Sequence, residues 1–153
     1  MTTPAETELD QKRARLRQWV PADQQQTATR GVDHLAVFAK DLEATAAFYS
    51  EVLGMPVINV TANRDEPEST HMNVDLGNGT MLSFFDFPHV PRLRRKAPEG
   101  VGGSMHLALS NSPERLQQAK ESLSRNKVKF QEIGGGLYFS DPKGLGIELT
   151  PRG

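Results

Sequence analysis

The chain predicts an α+β fold of two βαβββ modules, whose strands form a cupped, partly open, barrel-like sheet. Three observations carry that prediction. The pattern His-Leu-Ala-(Val/Leu) stands at His34–Val37 and returns at His106–Leu109. Each copy precedes a segment whose apolar residues recur at helical spacing. Each such segment is followed by three short strand-like runs, so the second half of the chain repeats the order of the first.

Residues 1–30 read as a helical extension and linker, and 31–151 as the repeated domain, with modules at about 31–88 and 104–151. In the extension, Glu6, Glu8 and Asp10 precede Lys12, Arg13, Arg15 and Arg17, the order that suits a helix dipole, and Pro21 sets the stop. Leu9, Leu16 and Trp19 give this helix a thin apolar stripe, which predicts docking on the main body or on a neighbouring chain.

In the first module Val32–Phe38 reads as a strand and Asp41 as an N-cap. Leu42, Ala46, Tyr49 and Leu53 then fall on one helix face before Gly54 ends it. Strands follow near 57–61, 70–76 and 81–87, the last two joined by the hairpin signal Gly77-Asn78-Gly79. In the second module Met105–Ser110 reads as a strand, and Ser112-Pro113 caps and starts a helix with Leu116, Ala119 and Leu123 inward. Strands near 128–132, 137–140 and 146–150 complete it, with Asp141–Gly144 as the turn.

Composition narrows the function. A formal charge of −1, with no basic stripe along a helix, argues against nucleic acid as a partner. The absence of cysteine excludes disulfides and thiolate metal sites and suits a reducing, cytoplasmic setting. No apolar run reaches the roughly 18 residues of a membrane span, and the N-terminus lacks the apolar segment of a signal peptide.

Strand parity decides what the histidines face. Leu35 and Val37 share the side that packs on the helix, so His34 and Ala36 share the other. His106 and Ala108 repeat this, and on the last strand Ile147 and Leu149 turn to the helix while Glu148 does not. A single strand histidine is ordinarily a hydrogen-bonded core residue. Two at equivalent places, with a carboxylate on the same kind of face, are costly to gather unless a cation neutralises them. Two histidines and one carboxylate with open positions is the ligand set of non-haem iron(II) enzymes. The reading is therefore a metal site formed by His34, His106 and Glu148.

The stretches "DHLAVFAKDLEATAAFYSEVLGM", "MHLAL" and "YFSDPKGLGIEL" resemble the vicinal oxygen chelate superfamily, which includes glyoxalase I, extradiol dioxygenases and bleomycin-resistance proteins. The resemblance implies the glyoxalase/dioxygenase fold, a divalent metal on His34, His106 and Glu148, a small-molecule substrate, and a homodimer in which modules of two chains pair. Iron(II) is the expected metal, with zinc, manganese and nickel as alternatives. At the place of a second carboxylate, four residues after a turn glycine, this chain has Ser83 where Glu148 stands in the other half. Serine is no general base at neutral pH, which disfavours a proton-shuttling isomerase.

Tyr138 resembles the tyrosine beside the substrate in extradiol dioxygenases. The second histidine of those enzymes is missing, with Thr80 and Met81 at its place, and His71 is its candidate substitute, although a surface position is the commoner fate. Met81, Ser83 and Phe85 are candidate substrate-binding residues on the open face. His89 is a candidate gate, and Arg92, Arg94, Arg95 and Lys96 a basic run that reads first as a solvated face. No oxygen-rich loop of the fosfomycin-transferase kind stands near "EIGGGLYF". The expected function is an iron(II) oxygenase of the extradiol type. The alternatives are a Lewis-acid lyase, isomerase or transferase, and a binding protein of the bleomycin-resistance kind.

Overall fold

The structure is a computed structural model that describes residues 4–23, 26–92, 100–101 and 103–151. Arg94, Arg95 and Lys96 lie outside the described residues. The chain forms two compact units, Met1–Gly31 and Val32–Gly153. The first holds helix α1, Pro4–Arg17, whose last turn carries Arg15 and Arg17 where the dipole favours cations.

The second unit contains both modules. Its first half runs β1 (His34–Phe38), α2 (Leu42–Ala47), β2 (Val57–Ala62), β3 (Thr70–Gly77) and β4 (Thr80–Phe85). The second runs β5 (Leu107–Asn111), α3 (Pro113–Arg125), β6 (Phe130–Ile133), β7 (Gly136–Ser140) and β8 (Gly146–Pro151). The sheets are ordered β1-β4-β3-β2 and β5-β8-β7-β6, each with one parallel pair, β1 with β4 and β5 with β8. The repeated βαβββ order is thus present, in two open four-stranded sheets.

Local chemistry explains the elements. Asp41 accepts from the Ala44 amide at 2.9 Å and Ser112 from the Arg115 amide at 3.2 Å, so both helices start at capped ends. Asn78 and the glycines beside it have positive φ, as the tight β3–β4 turn requires. Two expectations change in detail. The first helix is not α-helical throughout, because Phe48–Val52 forms a π-helical turn, closed by Leu53 N–H on the Phe48 carbonyl at 3.2 Å. The expected strand from Met105 begins at Leu107, so His106 sits just before β5 rather than inside it.

The core lies between the helix-side faces of the sheets. Leu82, Phe84, Val74, Ile147, Leu149 and Leu137 are buried there, each stabilising the fold by roughly 1.5–3 kcal/mol. The widened turn brings Phe48 and Tyr49 into this core, against Phe139 and Phe84 respectively. The Ser122 hydroxyl on α3 donates to the Val52 carbonyl at 2.7 Å. The Tyr49 hydroxyl donates to Asp141 Oδ2 at 3.0 Å, and burial together with that carboxylate pushes the phenol far above its ordinary pKa. The modules therefore meet through their helix sides, which leaves both opposite faces free.

Candidate metal site on the open faces

Alternation along β1 is as expected: His34, Ala36 and Phe38 are exposed while Leu35 and Val37 pack on the core. On β8 Ile147 and Leu149 are buried, and Glu148 lies on the opposite face. The second module gathers three of the expected residues. His106 Nε2 lies 2.9 Å from Glu148 Oε2, with both side chains mostly shielded. Tyr138 pairs directly across from Glu148, and its ring meets His106 edge-on at 5.7 Å. Hydrogen bonding to the Glu148 carboxylate raises the Tyr138 pKa, so the phenol holds its proton at neutral pH.

Gly146 makes room for this cluster. A Cβ on it would come within 2.9 Å of the Met105 carbonyl and 3.4 Å of His106 Cβ. Backbone and histidine cross the strand there only because the side chain is missing.

His34 stands apart from them. Its Nδ1 lies 2.6 Å from Asp33 Oδ1, and no described residue engages its Nε2. Among the described residues of one chain, no three His, Asp or Glu side chains come together as a metal-holding set. The donor chemistry nevertheless suits a divalent cation: His106 and Glu148 converge on one point, and His34 carries a carboxylate on one nitrogen with the other unengaged. The sequence reading overlooked Asp33, although an acid beside a candidate ligand is a usable signal.

The register also tests the second carboxylate position. Ala36 pairs with Ser83 in the first sheet and Ala108 with Glu148 in the second, so Ser83 does occupy the place of Glu148. Ser83 is buried and donates to Asn73 Oδ1 at 2.7 Å. Asn73 in turn occupies the place of Tyr138, each lying ten residues before its partner. That shared spacing would have pointed to Asn73 from sequence.

His71 is half-buried rather than at the surface. It stacks on Phe85 at 4.4 Å, and its Nε2 is shut away without a hydrogen-bond partner among the described residues. The stack continues to Phe87, 5.7 Å from Phe85. Met81 shares the Phe85 face. His89 pairs with Glu66 at 3.1 Å and is exposed, in a loop beyond the strand end. Arg92 is exposed.

Comparison with known proteins agrees with this architecture. The model of the Glyoxalase/Bleomycin resistance protein/Dioxygenase superfamily matches residues 31–149, and the chain belongs to that family. "Putative ring-cleaving dioxygenase MhqE" of Bacillus subtilis is 31% identical over 129 residues, which are 79% of this chain and 41% of that protein. The chain thus spans about two fifths of this relative's length. A glyoxalase/dioxygenase from Nostoc punctiforme superposes with a TM-score of 0.64 at 24% identity, covering 84% of this chain and 97% of the other. The fosfomycin resistance protein FosX from Listeria monocytogenes, complexed with Mn(II) and sulfate, superposes with 0.62 at 19% identity, covering 82% and 94%. At these identities the two structures speak for the fold alone. No described helix is long and apolar enough to cross a membrane.

Proposed function

We propose that the chain is a divalent-metal-dependent enzyme, an iron(II) oxygenase acting on a small substrate with two adjacent oxygens, and that two copies complete each site. His106 and Glu148 of one copy and His34 of the other would hold the metal. The observation that carries this reading is the convergence of His106 and Glu148 beside Tyr138, with His34 on a separate face and its Nε2 unengaged. Modules that meet through their helix sides present their open faces to other molecules, which supports a homodimer over a single-chain site. A divalent metal held there would supply Lewis acidity and, as iron(II), electrons toward O₂.

The chain's own groups then have separable roles. Asp33 orients His34 and fixes its tautomer through Nδ1. Tyr138, protonated at neutral pH, offers its hydroxyl to a substrate oxygen beside Glu148. His71 presents the free ring nitrogen through which a substrate proton would move, and Phe85 holds that ring by stacking. Met81 and Phe85 supply an apolar wall for a planar substrate. Ser83, tied to Asn73, leaves no second carboxylate for proton shuttling, which favours oxygen chemistry over isomerisation. The relative named as a ring-cleaving dioxygenase points the same way.

The test is anaerobic loading with iron(II), metal analysis, and O₂ uptake with a panel of catechols and hydroxylated ketones. Uptake coupled to loss of the diol is expected, while robust hemithioacetal isomerisation would replace this reading with Lewis-acid chemistry. Shared sites have their own test. Mixing inactive His34→Ala and Glu148→Ala chains should restore about a quarter of wild-type activity, because half the dimers are mixed and each holds one intact site. No restoration after verified subunit exchange would place the site within one chain.

A further inference from the structure

A second cavity, of about 380 Å³, lies where the end of β1, the loop after β4 and the β7–β8 turn come together. Each of these segments contributes a cation, Lys40, Arg92 and Lys143, and none of the described lining residues is acidic. We infer that this cavity binds the oxyanion group of a small molecule, a carboxylate or a phosphate, and that it is separate from the metal site.

The argument begins with unbalanced charge. Lys40 Nζ is anchored on two backbone carbonyls, those of Phe87 at 2.7 Å and Pro88 at 3.2 Å, and no carboxylate neutralises it among the described residues. The side chains of Arg92 and Lys143 have no ion pair or hydrogen bond with any described residue. Both carboxylates nearest in sequence are committed elsewhere. Asp41 caps α2 through the Ala44 amide. Asp141 accepts from the amides of Lys143 and Leu145 and from the Tyr49 hydroxyl, and is buried. Like charges around one hollow repel each other, and an entering anion relieves that repulsion.

The setting is also pre-organised and selective. Lys40 is fixed by its carbonyl pair, so little side-chain freedom remains to be lost there on binding. Phe38, 61% exposed, and Val90 line the same cavity and offer an apolar wall to the rest of the ligand. Phe38 shares the open face of β1 with His34, but four residues of strand separate them by roughly 13 Å. Binding here therefore does not depend on the metal reading.

The experiment titrates the full-length protein, metal-free and metal-loaded, with inorganic phosphate and with benzoate, against chloride at equal ionic strength. Calorimetry and backbone amide shifts are the readouts. Saturable binding in the millimolar range or tighter is expected, with shifts at Phe38, Val90 and Lys143, in both metal states. The tighter probe identifies the oxyanion. Replacing both Arg92→Gln and Lys143→Gln should weaken it by about tenfold or more, whereas Lys143→Arg should retain it. Metal content of the double variant should stay at the wild-type level, so failure here and failure of the metal reading are distinguishable. Absence of saturable binding with either probe, or equal affinity in the double variant, would overturn the inference.

Discussion

The two modules share a backbone plan and differ at one pair of cross-strand positions. The second places Glu148 opposite Tyr138, beside His106. The first places Ser83 opposite Asn73, both buried and bonded to each other, and leaves His34 on an exposed edge with Asp33. Duplication thus kept the histidine in both halves and the carboxylate in one. In the proposed function the second module is the greater part of a site, and the first contributes one ligand and the wall.

That asymmetry can be broken by experiment, beginning with the largest effect. Glu148→Ala should lower metal affinity by about a hundredfold or more, since it removes a ligand, while Ser83→Ala should leave it unchanged. Equal loss in both variants, measured by competitive metal titration, would erase the distinction between the halves. Next comes the link between modules. Asp141→Ala removes the acceptor of the buried Tyr49 hydroxyl and of two turn amides, and should destabilise the protein by about 3 kcal/mol in urea unfolding. Asp33→Asn is expected to weaken metal binding by about 10- to 100-fold without changing the unfolding midpoint. An unchanged affinity would reduce the Asp33 contact to a surface pair.

The smallest effect concerns pH. Both tyrosines have raised pKa values, Tyr49 mainly by burial and Tyr138 mainly by bonding to Glu148. A raised phenol pKa contributes stability that is present below the ordinary tyrosine value, near 10, and is lost as pH rises through the folded value. Absorbance titration should therefore show neither phenol ionising at its ordinary pH, with Tyr49 appearing only as the protein unfolds. Early ionisation of one phenol that disappears in Tyr138→Phe would detach Tyr138 from Glu148.

Much of the fold was legible because repetition and parity are local properties of a chain. His34 and His106, Leu35 and Leu107, Ile147 and Leu149 could be assigned to faces by counting, and the β1–β4 and β5–β8 registers bear out the equivalence of Ser83 and Glu148. What escaped was long-range or conformational. The Tyr49–Asp141 bond spans 92 residues, and no periodicity announces it. The π-helical turn keeps its apolar residues at spacings that an α-helix would also accept, so the pattern could not separate the two. His71 was expected at the surface because its ring is polar, but stacking on Phe85 holds it half-buried. The sheet-by-sheet reading placed ligands on faces without saying which faces would meet, and one chain does not unite all three.

Gly146 changes how sequences of this kind should be scanned. A search that counts ligands would accept any chain with both histidines and the glutamate in place. Yet a single methyl group at position 146 would press against the Met105 carbonyl and His106 Cβ, tilting a donor whose identity had not changed. Inactive members of such a set can therefore hide behind an intact ligand list, and the residue two positions before the glutamate is where to look for them.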